Sequence, residues 1–248
     1  MSRSITQSVF ARLALMTAIS VASCTSPSAV EQAADPVMSC DTPIMVFGTR
    51  ASIKAPGFTQ SVKLSDVPIS DTTVGYGPSA GYRDELTLMD GVFHIATPES
   101  GDMVSLSHDV SPEKGAGFLV ASSPAGWKAV QPVADLTGLE GIESLLTDTA
   151  EAAGCPAGAA FPFKLTGTAS QASWSAVGKP TGAKGGAEDV AVEIVGIYAP
   201  GPEDTYFLPD GRTLHAHAHI VGTQITGHLG QIGALSDVAL YVPAAHQP

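Results

Sequence analysis

"HAHAHIVGTQITGH", residues 215–228, gathers four of the chain's seven histidines. Side chains on an extended strand alternate between faces. His215, His217 and His219 therefore share one face, and Ala216, Ala218 and Ile220 share the other. The small apolar face suits a core. Three neighbouring imidazoles are most stable neutral, because each added charge repels the next, and neutral imidazole is a metal ligand. Two ligands two residues apart on one strand, with a third from an adjoining strand, supply three of zinc's positions and leave one open. His228 follows "TQITG", where Thr226-Gly227 reads as a turn or bulge that brings the chain back alongside. Spacing alone does not choose which three of the four bind. The competing reading is a solvated sheet face with no metal. His94 and His108 read as surface or core residues, and His246 belongs to the tail.

The surrounding sequence is mostly strand-like. The chain has 248 residues, 44% of them hydrophobic and only 15% charged, with 26 glycines and 18 prolines. That is enough apolar material for a core and many turns, which favours a β-rich globular protein. "PIMVFG" (43–48), "GFLVASSP" (117–124), "FPFKLTGT" (161–168), "VAVEIVGIYAP" (190–200) and "DVALYV" (237–242) are strand candidates. "ELTLMDGVFHIA" (85–96) alternates on both sides of Asp90-Gly91, a tight-hairpin signal because glycine accepts positive φ. One helix is marked, "LTGLEGIESLLTDTAEAAG" (136–154). Thr137 and Glu140 have capping-box spacing, Leu139, Ile142, Leu146 and Ala150 repeat at helical spacing, and Gly154 is the expected stop. The formal net charge of -12, with no Lys/Arg cluster, disfavours nucleic acid and anionic membrane surfaces as partners.

Residues 1–24 read as a bacterial export signal. Arg3 and Arg12 precede the apolar run "LALMTAISVA" (13–22), which is too short to span a bilayer as a mature helix. "VASC" (21–24) resembles the lipobox of bacterial lipoproteins, in which the cysteine is acylated; an ordinary cleaved signal is the alternative. Residues 25–41 are expected to form a tether and 42–248 the folded domain, placing the protein in the periplasm or on the envelope. Cys40 and Cys155 are then an even pair in an oxidising compartment, and a disulfide is expected.

Two blocks carry a family resemblance. H-x-H followed after ten residues by G-H is similar to the pattern of the α-acetolactate decarboxylases, and falls here on His215, His217, Gly227 and His228. "VGYGPSAGYRDELTLMDGVFHIA" (74–96) resembles a second block of that family, with Gly75, Gly77, Glu85, Asp90 and Gly91 in register. The intervening strands and helix occur in the family's order, so the resemblance runs from about residue 42 onward. More distantly, the C-terminal pattern is similar to the plant and prokaryote conserved domain, a shorter nucleic-acid-associated relative without the first block.

The decarboxylase resemblance implies an α+β fold of β-rich mixed sheets with a barrel-like half and few helices. It implies a Zn2+ ion held by His215, His217 and His228 between a barrel-like sheet and a flanking loop. His219 is then an extra histidine. Glu85 is implied as the acidic catalytic residue at the metal. The implied reaction is decarboxylation of (S)-2-acetolactate, a small 2-hydroxy-3-keto acid, to (R)-acetoin, in a protein that tends to form homodimers. The alternative is a metal-binding envelope protein of the same fold with another substrate or no turnover. Two departures favour that alternative. Ser175 stands where the family carries an arginine for the substrate carboxylate, and serine cannot make a bidentate grip. The family's further glutamate, contributed from beyond the last histidine, has no counterpart up to Pro248. Arg83 and Arg212 are the candidates for a replacement cation.

Overall fold

A computed structural model describes residues 37–51, 59–131, 133–201, 206–209 and 211–245. The expected export signal with Cys24, most of the expected tether, and His246 lie outside these residues. The elements are β1 (Ile44–Phe47), β2 (Val62–Lys63), β3 (Val74–Pro78), β4 (Glu85–Met89), β5 (Val92–Pro98), β6 (Val104–Ser107), β7 (Gly115–Ala116) and β8 (Leu119–Ser122). Then follow β9 (Trp127–Val130), β10 (Leu136–Thr137), α1 (Gly138–Ala152), β11 (Phe161–Ala176), β12 (Ala183–Tyr198), β13 (Leu214–Ile220), β14 (Thr226–Ile232) and β15 (Ala234–Pro243). The expected β-rich α+β architecture is present.

Two sheets dominate. A six-stranded antiparallel sheet runs β1-β8-β3-β4-β5-β6. The larger sheet runs β10-β15-β11-β12-β13-β14, and β14 pairs back onto β11, so β11 to β14 close into a ring. This closure is the expected barrel-like half. It also gives β13 and β14 partners on both sides, which fixes the register of the histidine strand.

The local sequence explains the main elements. Asp90 (φ 47) and Gly91 (φ 75) both take positive φ and join β4 to β5 in the tight turn read from the sequence. Helix α1 buries Leu139, Ile142, Leu146 and Ala150, as its periodicity predicts, and Gly154 (φ 71) follows its end. The expected capping box does not form: Thr137 is the N-cap residue but makes no side-chain cap bond. Arg212 takes the Glu140 carboxylate instead, at 2.8 Å.

The apolar face of β13 does as its alternation predicts. Leu214, Ala216, Ala218 and Ile220 join one core with α1, Phe161, Phe163 and Leu165. A second core, with Leu86, Leu88, Phe93 and Ile95, lies on the far face of the six-stranded sheet. Between the sheets lie Tyr76, Phe118, Val120 and Ile197. The histidine face of β13 is thus turned toward the six-stranded sheet.

Cys40 and Cys155 form the expected disulfide. Met38 also bridges to Ala244, so the body takes in the last residues of the expected tether. No helix among the described residues is long and apolar enough to cross a membrane.

Candidate metal centre

The histidines of β13 meet a row of side chains that crosses the six-stranded sheet. Tyr76 on β3, Thr87 on β4 and His94 on β5 are successive register partners, so they share one face. Glu85 lies two residues before Thr87 on that face. The Tyr76 ring stacks on His215 at 4.0 Å between centroids. The Thr87 hydroxyl meets His217 Nδ1 at 2.7 Å. His94 lies 5.7 Å from His219, ring to ring.

His228 reaches the same place from β14, where it is the register partner of His217. The ring centroids are 5.3 Å apart for His215–His217, 4.8 Å for His215–His228 and 6.0 Å for His217–His228. Glu85 Oε1 stands 3.6 Å from His217 Nε2. The structure therefore brings His215, His217, His228 and Glu85 together. The neighbour is chiefly the second sheet, where the resemblance implies a flanking loop. The loop's part is the Phe207 carbonyl, which accepts from His215 Nδ1 at 2.7 Å.

Those Nδ1 bonds orient the rings. A carbonyl only accepts, so His215 carries its proton on Nδ1 and presents a lone pair at Nε2. His217 takes the same tautomer when it donates to Thr87. The Nε2 atoms of both are buried without a hydrogen-bond partner. Leaving such an atom unsatisfied costs roughly 1–3 kcal/mol, so a native fold that does it twice in one place requires an explanation.

Electrostatics keep the site uncharged in the absence of a cation. Burial, then His228, drives the His215 pKa down to about 3, despite the opposing Phe207 bond. Burial, then His215 and His228, holds His217 well below its ordinary value, and burial lowers His228. Burial raises Glu85 to about 8, although the Val177 N–H donates to Oε2 at 2.9 Å and opposes the rise. The Glu85–His217 approach has ion-pair distance, but both groups are neutral near pH 7, so it is not an ion pair.

Donor type and orphaned nitrogens fit a borderline divalent cation such as zinc. Neutral imidazoles with Nδ1 engaged by an oxygen are the usual form of histidine ligands, and a carboxyl near them loses its proton readily to a bound cation. As placed, the rings are not drawn onto one point. Among the described residues no group of three His, Cys, Asp or Glu side chains already stands in a metal-holding arrangement. Holding an ion requires the rings to turn toward one point.

The remaining sequence candidates fall differently. Ser175, where the resemblance implies an arginine, pairs in register with His228 and is half-buried. Arg212 lines a cavity of about 70 Å3 that touches His228, but Glu140 and Glu143 hold its guanidinium at 2.8 and 3.2 Å. Arg83 is exposed in the turn before β4, so strand alternation does not align it with Glu85. A groove of about 890 Å3 is lined by Met38, Trp127 and Asp148 and by none of the histidines. Thr87 and Tyr76 were not read from the sequence as site residues. The spacing of Thr87, two residues after Glu85 on one strand, is the signal that finds it.

The architecture is of the acetolactate-decarboxylase type. An acetolactate decarboxylase from Bacillus subtilis subspecies spizizenii superposes with a TM-score of 0.62 at 17% identity, over 82% of this chain and 86% of that one. The α-acetolactate decarboxylase of Bacillus subtilis strain 168 gives 0.61 at 17% identity, with the same coverage. A Staphylococcus aureus protein of unknown function, similar to α-acetolactate decarboxylase, gives 0.58 at 10% identity over 80% of this chain and 84% of that one. No protein-family model matches the chain, and no curated protein matches it by sequence. At these identities the likeness is one of fold.

Proposed function

We propose that the protein is a zinc-dependent decarboxylase of (S)-2-acetolactate, releasing CO2 and (R)-acetoin. The observation that carries this reading is the pair of buried, partnerless Nε2 atoms on His215 and His217, with His228 and Glu85 beside them. His215, His217 and His228 would hold the ion. Losing CO2 leaves an electron pair on the substrate's C2, and the neighbouring ketone is its sink. Zinc, when bound, supplies Lewis-acid stabilisation of the charge that develops on that oxygen.

The chain's own residues supply the rest. Thr87 and the Phe207 carbonyl fix the His217 and His215 rings through Nδ1. Glu85 is poised to hold a proton and deliver it to C2, completing acetoin. The apolar wall around Tyr76, Phe118 and Val120 excludes water on the side of the six-stranded sheet. The half-buried His228 ring, the least enclosed of the three, marks the side from which a small 2-hydroxy-3-keto acid would approach. The Cys40–Cys155 disulfide supports an exported protein, because such bonds persist in oxidising compartments.

Ser175 beside His228 favours a second reading: a metal-binding envelope protein of this fold with another substrate or no turnover. The deciding experiment is to incubate the zinc-loaded protein with racemic acetolactate and follow acetoin. Stereospecific acetoin above the spontaneous rate, lost in His217→Ala, supports decarboxylation. Bound zinc with only the spontaneous rate supports the second reading.

A further inference from the structure

His219 is not used by the centre described above, yet it too sits among imidazoles. Its ring lies 5.7 Å from His94, and His94 lies 4.8 Å from His108. The three come from β13, β5 and the residue after β6, so residues far apart in sequence converge here. We infer that His94, His108 and His219 form a second site for a borderline divalent cation, adjacent to the first and independent of it.

Hydrogen bonding carries the argument. His108 Nδ1 meets the Phe93 carbonyl at 2.8 Å, and His219 Nδ1 meets the Ile225 carbonyl at 3.1 Å. A carbonyl can only accept, so both rings carry a proton on Nδ1, which leaves Nε2 as the nitrogen a cation would take. This is the arrangement by which backbone oxygens orient histidine ligands. His94 Nδ1 is buried and has no partner. Each of the three rings therefore offers one unprotonated or unengaged nitrogen. Burial first, then the charges of His108 and His219, lowers the His94 pKa to about 4.

Chemistry and access agree. Three imidazoles without a thiolate suit Zn2+, Ni2+ or Cu2+, not Ca2+ or Mg2+, which take oxygen donors. His108 is exposed, which gives an ion a route from solvent and lets that ring make the closing motion. Three protein donors leave coordination positions for water or a small anion. The site lies on the same face of β13 as the first, with His219 two residues beyond His217. The sequence could not separate the two sets, because it shows only one run of alternating histidines.

The test is calorimetric titration of the metal-stripped full chain with Zn2+ alone, at pH 7. Two equivalents are expected for the wild type and one for His94→Gln/His108→Gln. His217→Gln is expected to keep the one equivalent that the double variant loses. His108→Gln, a change at an exposed position that leaves the core untouched, is expected to weaken one equivalent at least tenfold. Wild-type binding of two equivalents that survives the double variant, or a single equivalent insensitive to His108→Gln, would overturn the second site. A single equivalent that disappears in the double variant, and persists in His217→Gln, would leave this site standing and remove the first.

Discussion

Thr87 Oγ1 and His217 Nδ1 stand 2.7 Å apart, although 130 residues separate them in the chain. The bond joins β4 of one sheet to β13 of the other and aims a buried imidazole. Replacing Thr87 by valine keeps the shape and removes the oxygen. Zinc affinity is expected to fall 10- to 100-fold in Thr87→Val, in line with other partners of histidine ligands, and to return in Thr87→Ser. Folding stability should fall by roughly 1–3 kcal/mol, because the buried His217 Nδ1 loses its partner. Competition against a chromogenic chelator measures the affinity. Equal affinity in wild type and Thr87→Val would show that the hydroxyl does not orient the ligand.

Glu85 sets a pH dependence of defined sign in the metal-free protein. Burial raises its folded pKa from 4.5 to about 8. The folded state therefore holds a proton that the unfolded chain releases, and this stabilisation is complete below 4.5 and lost as pH rises through 8. Against Glu85→Gln, which cannot titrate, the wild type should lose roughly 2 kcal/mol more between pH 6 and 8. Urea unfolding of both proteins at the two pH values gives the difference directly. Parallel pH profiles would mean that the carboxyl is ionised in the folded state.

Buried imidazoles act on the acid side. The His215 pKa is depressed from 6.5 to about 3. Its contribution is present above 6.5 and is lost as pH falls toward 3, because the unfolded ring takes a proton first. From that ring alone, acidification from pH 7 to 5 should destabilise the metal-free protein by roughly 2 kcal/mol. A fluorescence-detected unfolding midpoint that holds steady between those values in wild type, and does not differ from His215→Gln, would contradict the burial of a neutral ring.

Gly227 tests how His228 is delivered. A Cβ there would meet the Ser175 carbonyl oxygen at 2.5 Å, and that oxygen belongs to the backbone of β11. Gly227→Ala must part β14 from β11 or shift the strand, and so displace His228. A loss of zinc affinity larger than the loss in Thr87→Val is expected, with the disulfide-linked region unaffected. Unchanged affinity would show that the strand pair has slack.

The Cys40–Cys155 bond closes a loop across 115 positions. The chain-entropy model gives it roughly 4 to 5 kcal/mol, and removal of native disulfides typically costs about 2 to 5 kcal/mol. Cys40→Ser/Cys155→Ser should lower the urea midpoint accordingly while leaving zinc affinity intact, since Cys155 packs against the α1 core and not the histidine face. A variant that lost zinc and kept its midpoint would reverse that assignment.

Much of this was legible in the sequence because the signals were periodic. Alternation along "HAHAHI" placed one face of β13 in a core and the other at a site. Asp90-Gly91 announced its turn, and the α1 stripe named its buried residues. What the sequence withheld depends on the second sheet. Strand alternation says that His215, His217 and His219 share a face, but the row of Tyr76, Thr87 and His94 facing them comes from inter-sheet packing, and that row gives each histidine a different neighbour. Thr226-Gly227 read as a turn or bulge that brings the chain back alongside; β14 does return beside β13, but the turn lies before Thr226 and Gly227 stands in the strand, where a close approach to β11 requires it. Thr137 and Glu140 had capping-box spacing, but local spacing cannot foresee that Arg212 takes the glutamate.

The most direct measurement is an anomalous-difference map from crystals of the full chain grown with Zn2+, recorded at the zinc edge. The account predicts a peak about 2.0–2.1 Å from one nitrogen each of His215, His217 and His228, with the Glu85 carboxylate turned toward it. A map at saturating zinc with no peak among those three rings would contradict it.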